Sequence, residues 1–162
     1  MTTELQRLDV AEVAKRVRAA IRAAQKAGTM PGAAKVSVTT DRFSMGCRLD
    51  VSVTAFPHVV LRPAHVLWVA DNPHECFVTA PRDVVESHTP IALRFLAVLD
   101  AMVRLYHRSD CDSQRDHFDV NFWFHGADFA TALEQRQRAR ILEANGRDVP
   151  SYLSRFVGNV TP

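Results

Sequence analysis

At 162 residues, 47% of them hydrophobic, the chain is long enough to bury a core and short enough to be one domain with an appendage. Its net charge of +2 excludes a uniformly basic nucleic-acid binder, so only a local cluster of cations could serve that role. The three cysteines, Cys47, Cys76 and Cys111, are odd in number and lack CxxC spacing. They argue against a disulfide framework and read as reduced thiols of a cytoplasmic protein.

No basic stretch with an apolar h-region opens the chain, and no apolar run has the length of a membrane span. The expected location is therefore cytoplasmic, with no membrane partner. P-loop, G-x-G-x-x-G and G-x-S-x-G patterns are all absent, which argues against nucleotide-dependent and serine-hydrolase chemistry. No cofactor is expected.

The first predicted helix runs from Val10 to Ala27. Asp9 and Glu12 have capping-box spacing, and Gly28 supplies the stop. Val10, Val13, Ala14, Val17, Ile21 and Ala24 fall on one face. Lys15, Arg18, Arg22 and Lys26 form a stripe on another, which reads as a solvated surface or as a contact for phosphates or an acidic partner.

A β-hairpin follows. Lys35–Phe43 and Arg48–Thr54 alternate with period two, and Gly46 lies in the link between them. Asp50 is expected on the face away from the core, beside Ser37 or Thr39. Five prolines punctuate residues 57–90 and break up regular structure. Within that stretch, His65–Ala70 (HVLWVA) reads as a short strand, and Asp83 to Glu86 as a brief helical turn.

The central helix should start at Pro90, capped by Thr89, and reach His107. Ile91, Phe95, Val98, Leu99, Met102, Val103, Leu105 and Tyr106 cover more than half its circumference, so it is expected to pack on two sides. A polar loop then leads into a strand over 117–125, where Phe118, Val120, Phe122 and Phe124 alternate with Asp119, Asn121 and Trp123. This strand is expected to pair with the hairpin.

A third helix begins at Asp128 or Thr131 and ends near Ala144. Arg136 and Arg140 lie on the same side as Phe129 and Leu133, so the helix is expected to pack by its first turn only and project from the body, or to meet a partner. Tyr152, Leu153, Phe156 and Val157 then mark a short amphipathic helix that docks at home or on a second chain. The predicted class is α+β: a small antiparallel sheet with helices on one face, in two layers. Residues 1–126 form the expected core domain, and 127–162 a helical C-terminal extension able to mediate homo-oligomers.

Two motifs carry a resemblance. One is the hairpin turn with Ser44 and Gly46 followed by Asp50; the other is Asp112-Ser113-Gln114 followed by Phe118-Asp119-Val120-Asn121-Phe122. Over residues 10–126 the chain resembles the twenty-ninth of the large polyvalent protein-associated domains, modules of phages, plasmids and conjugative elements. The stretch after Ala127 and the prolines of 55–89 depart from that pattern. The resemblance implies a mobile-element setting and an accessory or counter-defence role, without implying a reaction.

Four candidate sites follow. A metal site would draw on Asp110, Asp112, Asp116 and Asp119, or on His107, Cys111 and His117. Counted from Asp110, however, the glycine and glutamate of an EF-hand loop are replaced by Arg115 and Asn121, and the His/Cys spacing matches no zinc pattern. No metal is expected. A protein-binding surface would use Asp50, Asp119, Asn121 and Trp123 of the sheet face, with Gln114 and His125 nearby, and Tyr152 and Phe156 of the extension. Asp50 and Asp119 could also form a hydrolytic carboxylate pair. Nucleic acid could be held by Lys15, Arg18, Arg22 and Lys26 with Arg136, Arg138 and Arg140 of the third helix. The leading expectation is a non-enzymatic accessory protein that binds a host or mobile-element protein. The alternatives are a nucleic-acid-binding module and a small Asp-dependent hydrolase.

Overall fold

The computed structural model describes residues 8–44, 46–74, 80–112 and 117–156, with the backbone alone at 83, 109–112 and 117–119. The fold is α+β, with helices and a small open sheet of mixed strand direction, in the order β1-β2-β5. The chain divides into two compact units: residues 1–55 with 95–128, and 56–94 with 129–162. From residue 129 onward, the extension expected over 127–162 is thus grouped with the proline-punctuated stretch.

In the first unit, helix α1 (Val10–Lys26) buries Val10, Val13, Ala14, Val17 and Ile21, the face its periodicity predicts. It packs on a hairpin of β1 (Lys35–Phe43) and β2 (Gly46–Ala55). The register pairs Val38 with Val51 and Thr39 with Asp50, so Val38, Leu49, Val51 and Val53 are buried. The expected capping box is replaced by ion pairs. The Asp9 carboxylate takes Arg42 Nη2 at 2.8 and 2.9 Å instead of a helix amide. Glu12 accepts from Arg16 Nε at 3.1 Å, and this hydrogen bond, with the charge of Lys15, holds its carboxyl below the usual range.

Helix α2 spans Pro63–Asp71, where a strand was expected. Pro63 occupies the first helical turn, where its missing N–H costs nothing. Burial of His65 and Val66 on one side outweighs the β-propensity of the valines. The short α3 (Arg82–Val85) is the predicted helical turn.

Helix α4 (Pro90–Arg104) begins as expected, with Thr89 Oγ1 accepting the Ala92 amide at 3.3 Å. Its buried stripe is narrower than expected. Ala92, Phe95, Leu99 and Val103 are buried, while Val98 is 45% and Leu105 61% exposed.

The predicted 117–125 strand is split. β4 (His117–Val120) pairs antiparallel with β3 (Ser109–Asp112) as a separate ribbon, with Asp119 opposite Asp110. Trp123 then makes a parallel bridge with Arg48 of β2. Its N–H donates to Cys47 O at 2.8 Å, and its carbonyl accepts the Leu49 amide at 3.0 Å. The third strand of the sheet is β5 (Asp128–Phe129).

In the second unit, α5 (Thr131–Ala144) buries Leu133, Ala139 and Leu142 along its whole length, not its first turn alone. Ala139, Leu142, Leu61 and Val66 share a core with Leu153 of the last helix, α6 (Ser151–Ser154). Phe156 and Val149 pack against that core. A polar chain closes the unit: Ser87 Oγ lies 3.0 Å from His88 Nδ1, and His88 Nε2 lies 2.7 Å from Glu134 Oε1.

Candidate functional site

The sequence around Pro150 builds an exposed aromatic edge on a packed base. Pro150 fixes the chain entering α6, and its carbonyl accepts the Leu153 amide at 2.8 Å. Consecutive helical residues point about 100° apart, so once Leu153 enters the core Tyr152 must turn outward. Leu153 is fully buried, and Tyr152 is 59% exposed.

Tyr152 borders a groove of about 290 Å³. The floor is Val66 of α2 and Leu142 of α5, both buried, and Val69 and Pro73 continue the apolar wall. Arg138 and Asp148 supply one charge of each sign to its lining. Arg147 Nη2 reaches Asp71 Oδ2 at 2.8 Å, tying the turn after α5 to the end of α2. Both partners are about half exposed, so this pair serves geometry more than stability. The arrangement is an apolar concavity with an aromatic rim and opposed charges. Such surfaces bind apolar side chains of a partner and fix their orientation by charge.

Phe156, also expected as a contact, is turned toward its own core, with the Arg155 guanidinium 4.8 Å from its ring centroid.

The sheet-face residues go elsewhere. Asp50 accepts from Arg48 Nε at 2.9 Å, and Arg48 also lies 3.7 Å from Asp41. Asp119 belongs to the β3–β4 ribbon, so the backbone puts it in a different ladder from Asp50; its side chain lies outside the described residues, as does Gln114 entirely. Asn121 is a brace. Its Nδ2 donates to Tyr106 O at 2.6 Å, and its Oδ1 accepts from the Arg108 and Phe122 amides at 2.9 and 3.1 Å. Trp123 is half-buried and lies over Gly46, where a Cβ would come within 3.4 Å of its Nε1. His125 is exposed.

The cations divide as well. Lys15 pairs with Glu12 at 3.7 Å, and Arg18 donates to the Val38 carbonyl. Arg22 and Lys26 are exposed. In the other unit, Arg136 and Arg140 are exposed, Arg136 donating back to Ala132 O at 3.1 Å. Arg140 lines a shallow groove of about 250 Å³ with Phe56, His58 and Gln137. Among the described residues, no cluster of His, Cys, Asp or Glu has metal-binding geometry, and no helix is long and apolar enough to cross a membrane. Of the metal candidates, the side chains of Asp110, Cys111, Asp112, His117 and Asp119 and all of Asp116 lie outside those residues.

The groove beside Tyr152 was only partly legible. The amphipathic signal of 150–157 marked Tyr152 as a contact, but the partnership of α2 with α5 joins positions more than seventy residues apart, for which sequence periodicity has no signal.

No family model matches the chain, and neither a curated protein nor a solved structure matches it.

Proposed function

We propose that the chain is a non-enzymatic accessory protein of a phage or other mobile element, acting by binding a host or element protein through the groove beside Tyr152. The observation that carries this reading is the exposed Tyr152 at the border of a groove lined by Val66 and Leu142. Aromatic residues on such grooves are the commonest binding anchors. The hairpin and Asp112-to-Phe122 motifs support the mobile-element setting through their resemblance to a polyvalent protein-associated domain. Inhibition of a host defence complex is the role this setting suggests, and the cytoplasm the compartment. The hydrolase alternative is weakened because Asp50 is engaged by Arg48 and lies in a different ladder from Asp119.

The test is affinity capture from bacterial host lysate after nuclease treatment, run in parallel with wild-type and Tyr152→Ala protein. A stoichiometric protein recovered by the wild type and lost by the variant supports the reading. Equal recovery by both, or none by either, overturns it. Recovery only of a second copy of the chain would assign the groove to self-association.

A further inference from the structure

We propose a second binding site: the groove between α1 and the start of β1 takes the phosphodiester backbone of a nucleic acid. It belongs to the first unit and the Tyr152 groove to the second, so each reading can fail alone.

This groove has a volume of about 280 Å³, and Arg18, Arg22, Gln25 and Lys35 line it with Ile21 at its base. Two of its side chains are locked. Arg18 donates to Val38 O through Nη2 at 2.6 Å and Nε at 3.2 Å. Gln25 Nε2 donates to Ala34 O at 2.8 Å and Pro31 O at 3.3 Å. Together they clamp the helix to β1 and to the chain that leads into it. Arg22 lies four residues after Arg18 and three before Gln25, so all three share one helix face. Its guanidinium therefore emerges between two fixed neighbours.

Across the groove, Lys35 sits at a register shift, where Lys35 pairs with Ala55 and Val36 with Val53. Such irregularities re-aim a side chain. Arg22, Lys26 and Lys35 are exposed, and among the described residues none of their side chains has a hydrogen bond or an ion pair. No lining residue carries a carboxylate. Cations gathered on a concave surface without counter-charge raise the local potential and attract an anion.

The contact set differs from the full basic stripe. Lys15 is taken by Glu12 and Arg18 by the Val38 carbonyl, which leaves Arg22, Lys26 and, from the strand, Lys35. Arg22 and Lys26 are separated by about 6 Å along the helix. One nucleic-acid strand presents a phosphate about every 3.4 Å along its axis, so a single strand path meets both. A planar guanidinium beside an ammonium suits phosphate oxygens. Ile21 and Val36 offer little apolar surface for a peptide anchor, which favours a phosphodiester chain over an acidic protein segment.

The experiment is fluorescence anisotropy of the full chain with short fluorescein-labelled single-stranded and duplex DNA, between about 50 and 200 mM salt. The site predicts salt-dependent binding of at least one form. Arg22→Glu/Lys35→Glu should weaken it about tenfold or more and lower the log–log salt slope by about 2. Arg94→Glu/Arg104→Glu, an equal change in net charge, should stay within about twofold of the wild type. If charge reversal unfolds the chain, Arg22→Gln/Lys35→Gln must show the same loss of affinity and slope. Absence of DNA binding by the wild type, or equal binding by the groove and control variants, overturns the proposal. So does a polyglutamate peptide that displaces DNA at a lower concentration than unlabelled DNA does.

Discussion

The Gln137 side-chain carbonyl lies 2.6 Å from the Val60 amide nitrogen and 3.3 Å from that of Leu61. One side chain of α5 thus satisfies two successive backbone donors of the segment that precedes α2. Val60 and Leu61 are buried, and a buried amide without a partner carries its full desolvation cost. The amide of Gln137 also donates to His58 O at 3.3 Å. Replacing Gln137 by Leu should therefore destabilise the protein by about 1–3 kcal/mol. Gln137→Glu, which keeps the acceptor oxygen, should cost less. Urea denaturation followed by circular dichroism checks the order of the two variants.

Gly46 closes the hairpin opposite Phe43, with φ at +150°, in the region that favours glycine. A Cβ there would also meet the Trp123 indole nitrogen at 3.4 Å. Gly46→Ala should cost about 1–3 kcal/mol of stability. It should also shift the Trp123 fluorescence, because the added methyl comes into van der Waals contact with the half-buried indole. Trp68 contributes to the same emission, so the reading is made in a Trp68→Phe background.

The His107 ring packs edge-on to Phe122, with centroids 5.1 Å apart. Burial holds its pKa below the ordinary 6.5, and the nearby charge of Arg104 acts in the same direction, against a hydrogen bond to the Phe122 backbone. The unfolded chain therefore takes up a proton at a higher pH than the folded one. Stability is complete above the unfolded value of 6.5 and falls as the pH drops below it, until the folded pKa is passed. His107→Gln should flatten the stability profile between about pH 5 and 7. Thermal melts across that range should show a smaller fall in Tm for the variant; an unchanged fall would remove His107 as its cause.

His88 joins Ser87 to Glu134 and stacks on Phe129, with ring centroids 5.6 Å apart. The order hydroxyl, imidazole, carboxylate is that of a hydrolytic relay, but these contacts connect the chain before α4 to α5, which reads as a latch. His88→Ala should lower stability by about 1–3 kcal/mol, measured by the same denaturation assay.

The first helix and the hairpin were legible because their apolar residues follow a single period and one face meets the core. Val10, Val13, Val17 and Ile21 are buried as that period requires, and Thr39 faces Asp50 as expected. The strand over 117–125 was misread at Asn121. Its alternation is real, but the Asn121 side chain takes up the Arg108 and Phe122 amides and bends the chain out of the ladder. The packing of α5 was hidden for a related reason. Its central contact is Gln137, a polar residue that holds backbone groups, and a hydrophobic pattern does not register such contacts. Residues 63–71 became a helix because their buried positions, not their local propensity, decide the outcome. Of the proposed binding residues, Tyr152 was readable from its place in an amphipathic turn. Lys35 was not, because only the fold brings it beside Arg22.

The most direct measurement is titration calorimetry of the captured protein with three purified forms: wild type, Tyr152→Ala and Arg22→Glu/Lys35→Glu. Binding through the Tyr152 groove predicts that Tyr152→Ala weakens the affinity about tenfold or more, as loss of an anchoring aromatic does, while the double variant binds like the wild type. Wild-type affinity in Tyr152→Ala would contradict it.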